Sequence, residues 1–341
     1  MSKVLLTGGS GYIGSHIACE LLDNNTDVVI VDNLSNSSQL VVDRIEEITG
    51  KRVKFYEGDI RDTDLITDIL KNEQIESVIH LAGLKSVSES VAKPLTYYDN
   101  NVGGSISLLR AMDAAKVKNI IFSSSATVYG NPKSMPIDES TPKGTCTNPY
   151  GWSKSMVEEI LMDIAKSDPT YKVVILRYFN PVGAHKSGLI GEVPTGIPNN
   201  LAPYVARVAS GDLDHVRVYG DDYDTVDGTG VRDYIHVLDL ACGHVAALDH
   251  LDELSNLEII NLGTGKGYSV FDMIEAFKKV TGLDIAYEIE ERRSGDVATS
   301  FCDPQKAKDL LDWQAAYDLE DMAADSWKFQ QQNPRGYEKE K

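Results

Sequence analysis

Short apolar runs punctuate the first half of the chain, separated by stretches of helical spacing: KVLLTG (3–8), DVVIVD (27–32), VKFYEGD (53–59), SVIHLAG (77–83), NIIFSSS (119–125) and KVVILRYFN (172–180). Runs of this length, rich in Val and Ile, read as strands buried on both faces. Their alternation with amphipathic segments predicts a parallel sheet built through right-handed crossovers, a doubly wound α/β unit. After Phe179 and Asn180 the texture turns to Gly/Pro-rich loops such as NPVGAHKSG and EVPTGIPNNLAP, which predicts a smaller second α/β domain. Two later segments read as returning to the first: IHVLDLACGHVAALDHL (235–251) has helical spacing and LEIINLG (257–263) reads as another buried strand. The expected division is 1–180, rejoined by about 235–263, and 181–341, with a frayed tail at YEKEK.

TGGSGYIGSH (7–16) follows the first apolar run directly and opens the first helical stretch. Its glycines have separate mechanical tasks: Gly8 for a tight turn, Gly11 for close approach of the backbone to a pyrophosphate, and Gly14 for close packing of helix on sheet. Asp32 ends the second run. An acid there accepts hydrogen bonds from ribose hydroxyls and repels a 2′-phosphate, so the expected cofactor is NAD rather than NADP.

NPYGWSK (148–154) reads as a helix start, with Asn148 able to cap and Pro149 at the first helical position. It sets Tyr150 and Lys154 one turn apart, which taken alone is an ordinary pair of helical neighbours. A phenol, with a reference pKa of about 10, serves as a base at neutral pH only if its anion is favoured. Lys154, the helix N-terminus and an oxidised nicotinamide each add positive potential, and together they are expected to bring Tyr150 towards neutrality. Ser124 and Ser125 end the fifth run, within reach of such a site.

Composition narrows the partners. The 341 residues, 42% hydrophobic, have room for one large core or two modest ones. A formal charge of −19 argues against nucleic acid or an anionic membrane as partner. Phosphates must then be handled locally, by helix N-terminal amides and a few arginines. No apolar stretch approaches a membrane span and none resembles a signal peptide, so a cytoplasmic location is expected. Cys19, Cys146, Cys242 and Cys302 lack C-x-x-C spacing and are expected to be free thiols; no metal site is expected.

Gly8-x-x-Gly11-x-x-Gly14, Tyr150-x-x-x-Lys154 and the serines ending the fifth run resemble the extended short-chain dehydrogenase/reductase family. Within it, GGSGYIGSH, VDNLSNS, EGDIRD, AGLKSVSES, YYDNNV, FSSSATVYG, RYFNPVGAH, GIPNNL and DGTGVRDYIHV are similar, in order and spacing, to the UDP-glucose 4-epimerases. The resemblance implies a Rossmann-type sheet, bound NAD, a UDP-hexose substrate, inversion at C4 through a transient 4-ketone, a place in galactose metabolism, and a homodimer through the helices following Pro94 and Tyr150. It implies Tyr150 as the base, Lys154 also on the nicotinamide ribose, and Ser125 on the reacting oxygen, able to relay the proton. For the cofactor it implies Gly8, Gly11, Tyr12, Ile13 and Gly14 at the pyrophosphate, Asp32, Asn33 and Asn36 around the adenosine ribose, and Asp59 and Ile60 at the adenine. Lys85, Asn100 and Phe179 fall near the nicotinamide half, and Leu81 and Ser123 complete the set. For the substrate it implies Lys85, Ser125, Tyr150, Asn180, Asn200, Leu201, Tyr219, Arg232, Arg293, Asp296 and Ser300, with Arg232 and Arg293 on the diphosphate and Asp296 on the uridine ribose.

Two of these residues have plainer readings: Arg232 adjoins Asp233 and reads as half of an ion pair, and Phe179 reads as core. Related sugar-nucleotide 4,6-dehydratases carry an Asp-Glu pair just after the catalytic hydroxyl residue, where this chain has Ala126 and Thr127. Ser300 stands where an aromatic residue would narrow the pocket, so N-acetylated UDP-hexoses are expected to fit as well. Other readings remain open: a nucleotide-sensing protein without chemistry, a net dehydrogenase that releases reduced cofactor, or another NAD-dependent UDP-sugar member of the family.

Overall fold

The strands of the first half fall where the apolar runs predict, as β1 (Lys3–Thr7), β2 (Asp27–Asp32), β3 (Lys54–Glu57), β4 (Ser77–His80), β5 (Asn119–Ser125) and β6 (Lys172–Tyr178). Between them lie α1 (Tyr12–Asp23), α2 (Leu40–Thr49), α3 (Thr63–Asn72), α4 (Val87–Ala92), α5 (Pro94–Tyr97), a π-helical stretch Tyr98–Gly103 that runs into α6 (Gly104–Ala115), and α7 (Pro149–Ser167). The later elements are β7 (Asn180–Val182), α8 (Leu201–Ala209), β8 (Val216–Tyr219), β9 (Val231–Arg232), β10 (Tyr234–His236), α9 (Val237–Asp249), β11 (Leu257–Leu262), α10 (Val270–Thr281), β12 (Tyr287–Glu290), β13 (Thr299–Ser300), α11 (Gln305–Leu311) and α12 (Leu319–Gln332). These come from a computed structural model that describes residues 3–337 except 195 and 294. Most of the tail expected to fray, from 338 on, lies outside the described residues.

The main sheet is parallel throughout, in the order β11-β6-β5-β4-β1-β2-β3. The strand order reverses between β1 and β4, which pair from Val4↔Ser77 to Thr7↔His80. A crevice opens at such a reversal, beyond the carboxyl ends of the two strands. Alternate strand residues enter two core layers. Leu6, Ile30, Ile79, Ile121 and Leu176 pack with α1 and α9, while Leu5, Val29, Val78, Ile120 and Ile175 pack with α3, α6 and α7. Each such side chain contributes roughly 1.5–3 kcal/mol on burial, so the sheet is the rigid part of the molecule.

β3 departs from the expectation of strands buried on both faces. It is the sheet edge, with β2 as its one neighbour, and its residues are exposed or half-buried. α9 lies on α1 and β11 pairs with β6 from Leu257↔Val173 to Leu262↔Tyr178. A separate core, including Val205, Val218, Met273, Phe277 and Met322, holds α8, α10 and α12 against β8. Among the described residues the four cysteines are free, no cluster of His, Cys, Asp and Glu is arranged to hold a metal, and no helix is long and apolar enough to cross a membrane.

Candidate active site

The turn after β1 is closed on both sides. Gly8 has φ +72°, and a Cβ there would lie 2.8 Å from the backbone nitrogen of Ala82. A Cβ on Gly14 would come within 2.4 Å of the Gly8 carbonyl oxygen, and Gly11 donates its N–H to that same oxygen at 3.1 Å. α1 opens at Gly11 with neither a side-chain cap nor an acid in its first turn, so its first N–H groups are left for an anion. At the end of β2 the Asp32 carboxylate accepts from Leu34 N at 2.9 Å, Ser37 Oγ at 2.9 Å and Ser10 N at 3.2 Å. That fixes its orientation and leaves acceptor capacity for a ribose. A glycine cradle that side chains would fill, an uncapped helix start and a fixed acid fit NAD.

The other cofactor candidates fall on β5, on the π-helical stretch, and on the segments that follow β1, β2, β3, β4 and β6. Asn33 donates to Asp59 at 3.1 Å, and Arg61 clasps Asp59 from Nε and Nη2 at 2.9 and 2.8 Å, holding its carboxyl well below the usual range. Ile60 is buried against Gly104, Leu81 continues the β4–β1 pairing through Thr7, and Ile13 packs on the core. Asn100 donates to Asn101, whose own amide ties Leu84 O to Ser153 Oγ of α7, both at 3.0 Å. Asn36 is exposed. The Phe179 ring sits in a small core with Val128, Tyr129, Ile137 and Cys302, the plainer of its two readings.

α7 begins as its sequence predicts: the Asn148 side chain accepts from Gly151 N at 2.9 Å and Pro149 is in the first turn, beside Tyr150. Lys154 is buried, its ammonium 4.9 Å from the Phe122 ring centre and donating to the Ser123 carbonyl at 2.6 Å. Burial pushes the Lys154 pKa down to about 8, against the pull of Glu158 one turn on. Tyr150 stands half-buried in the first turn of α7. Burial raises the phenol, and the group working the other way is Ser125.

Ser125 caps the short helical turn Ala126–Tyr129, where its Oγ accepts from Thr127. Ser124, its neighbour, is committed elsewhere. Its hydroxyl donates to Glu158 at 2.5 Å, and the same fully buried carboxylate takes Arg177 Nε at 3.0 Å and Nη2 at 2.7 Å. Neither Glu158 nor Arg177 is among the sequence candidates, although a lone Arg inside the apolar run KVVILRY was a visible signal.

Two further clusters gather the substrate candidates. Glu192, also not anticipated, joins Lys85 at 2.8 Å and Asn200 at 3.0 Å through one oxygen; Lys85 lies 5.7 Å from the Tyr12 ring centre, and Leu201 follows Asn200 at the start of α8. Tyr12 donates its hydroxyl to Gly183 O at 2.7 Å. Along β9 and β13, Arg232 is the register partner of Ser300 and reaches within 3.8 Å of Asp296, while the Arg293 guanidinium lies 3.8 Å from the Tyr219 ring centre. The reading of Arg232 as the partner of Asp233 is corrected. Asp233 is buried and spends its carboxylate on Thr264, Gly265 and Cys302, while its carbonyl accepts from the backbone of the exposed Asn180 at 2.9 Å.

The family described as GDP-mannose 4,6 dehydratase matches residues 5–326. A UDP-glucose 4-epimerase of Pasteurella multocida is 59% identical, over 98% of this chain and 99% of its own. A crystal structure of UDP-glucose 4-epimerase from Bifidobacterium longum in complex with NAD+ and UDP has a TM-score of 0.95 at 55% identity, covering 98% of this chain and 100% of the other. The enzyme from Stenotrophomonas maltophila, with bound NAD and formylated UDP-arabinopyranose, has a TM-score of 0.96 at 49% identity over 98% and 99% of the two chains. On matches of this extent, the protein belongs to the UDP-glucose 4-epimerase family.

Proposed function

We propose that the chain interconverts UDP-glucose and UDP-galactose by inverting C4 through a transient 4-ketone, in galactose metabolism, with NAD retained. The observation that carries this reading over elimination is the end of β5. A serine with a usable hydroxyl stands beside Tyr150, and the next residues, Ala126 and Thr127, offer no acid to protonate a leaving hydroxyl. A 4-ketone held there has one way out, reduction back to an alcohol.

Tyr150 takes the proton of the 4-hydroxyl and returns it, Ser125 donates to the reacting oxygen, and Lys154 holds the nicotinamide ribose. Bound NAD supplies the acceptor and return of the hydride and, oxidised, a positive charge that favours the Tyr150 phenolate. Arg232, Arg293, Asp296, Tyr219, Asn180, Asn200 and Leu201 anchor the nucleotide diphosphate, so that remote binding energy restrains a hexose free to turn between its two faces. In this assignment residues 1–180 with 235–263 carry the cofactor and 181–341 the UDP-sugar. Ser300, small and in register with Arg232, admits the N-acetyl group of UDP-N-acetylglucosamine and its galactosamine epimer.

A homodimer is supported by an apolar face on α4, α5 and α7. Val91 is 62% exposed and Leu95 81%, with Val87, Trp152 and Met156 beside them. A cytoplasmic site of action fits the composition. The test of the activity is to denature the purified protein and measure released NAD, then assay UDP-galactose with no cofactor added. Stoichiometric NAD and full turnover are expected. Accumulating NADH, or dependence on external NAD for each turnover, refutes the reading.

A further inference from the structure

A hydroxyl has one hydrogen to give and two lone pairs to offer. At Ser125 both lone pairs are engaged: Oγ accepts from the Thr127 N–H at 3.3 Å and from Thr127 Oγ1 at 3.0 Å. Both donors belong to one residue, placed by the helical turn that Ser125 itself caps. Thr127 is held in turn. Its carbonyl accepts from Gly130 N at 3.2 Å and from Cys146 Sγ at 3.8 Å, and a Cβ on Gly151, next to Tyr150, would lie 3.6 Å from its Oγ1. Ser125 therefore keeps a hydrogen to donate and no lone pair with which to accept.

Resting on the activity assigned above, we propose that Thr127 is a positioning residue that fixes Ser125 as a one-way hydrogen-bond donor, so that the substrate's C4 hydroxyl proton passes straight to Tyr150. In the forward direction the O–H bond at C4 breaks and an O–H bond forms at Tyr150 Oη. In the return the same two bonds exchange again. The Ser125 hydrogen stays on Oγ throughout, shared with the reacting oxygen or with the phenolate. This differs from the relay implied by family resemblance, in which Ser125 must accept one proton as it passes on another.

Two measurements on the NAD-loaded protein test it. In mixtures of light and heavy water, wild-type turnover of UDP-galactose should fall linearly with deuterium content, as for one proton in flight. A bowed dependence that becomes linear in Ser125→Ala overturns the proposal, and this arm needs no Thr127 variant to fold. Ultraviolet difference titration of the tyrosinate, with Tyr150→Phe as blank, should give a midpoint raised by about half a pH unit in Thr127→Val, with Thr127→Ser restoring the wild-type value. An unmoved midpoint in a folded Thr127→Val also overturns it. A wild type that binds NAD but does not turn over refutes the epimerase assignment instead, while the titration still reads the Thr127–Ser125–Tyr150 chain.

Discussion

Glu158→Gln removes one charge from the buried face of α7 while keeping the size of the side chain. The carboxylate it replaces has no solvent exposure and accepts from Arg177 twice and from Ser124 once, with Lys143 3.7 Å away. The Arg177 side chain, 3% exposed, is left as a buried cation without an anion. Breaking a buried pair from one side costs about 3–5 kcal/mol. The amide oxygen of Gln still accepts from Arg177, which puts the expected loss near the lower figure, about 3 kcal/mol. A second effect reaches Lys154, one turn before Glu158. Neighbours four apart on a helix sit about 6 Å from each other, and at an effective dielectric of about 20 the lost attraction, about 3 kcal/mol, moves the Lys154 pKa further down by about two units. Urea denaturation of the NAD-loaded protein reads the first effect, and the alkaline limb of the kcat profile reads the second, moving to lower pH. Pairing Glu158→Leu with Arg177→Met should recover most of the stability but not the alkaline limb. A loss below about 1 kcal/mol, of the size usual for a surface pair, together with an unmoved limb, refutes the reasoning.

Other expectations are simpler to check. Tyr150→Phe should retain NAD through denaturing extraction and lose nearly all turnover; near-normal activity would put the base elsewhere. Ser300→Tyr should abolish turnover of the N-acetylated UDP-sugars and spare UDP-galactose, and N-acetyl turnover surviving that change would mean another residue is the gate. His16 and His80 are held neutral by burial, their pKa lowered from 6.5 to about 3, and that of His244 to about 4. Because the folded values lie below the unfolded one, their stabilisation is complete above about pH 6.5 and is lost as the pH falls and the unfolded chain takes up protons. By pH 5 the loss is about 2 kcal/mol for each histidine, and a urea midpoint that does not fall between pH 7 and about 5 excludes it.

The sheet was legible because each strand is a self-contained run: DVVIVD and NIIFSSS carry their own boundaries, and NPYGWSK carries its own cap. Where a residue's role depends on what another element brings to it, the sequence was silent. Glu158 and Arg177 belong to different elements, and nothing local says that the helix will lay one against the other. The edge position of β3 follows from strand order, which the periodicity of Lys54–Glu57 does not encode. Arg232 shows the opposite failure: adjacency suggested Asp233, but neighbours along a strand point to opposite faces, and the true partner, Asp296, comes from a distant loop.

The pairing of β11 with β6 has a consequence for synthesis. All of β5 and β6 is made well before Leu257–Leu262, so until that segment leaves the ribosome the sheet carries an apolar edge with unpaired peptide groups along Lys172–Tyr178. A fragment ending near residue 180 keeps that edge permanently. Such a fragment should therefore aggregate when expressed alone, and a nascent chain stalled before residue 257 is the form of this protein most in need of a chaperone.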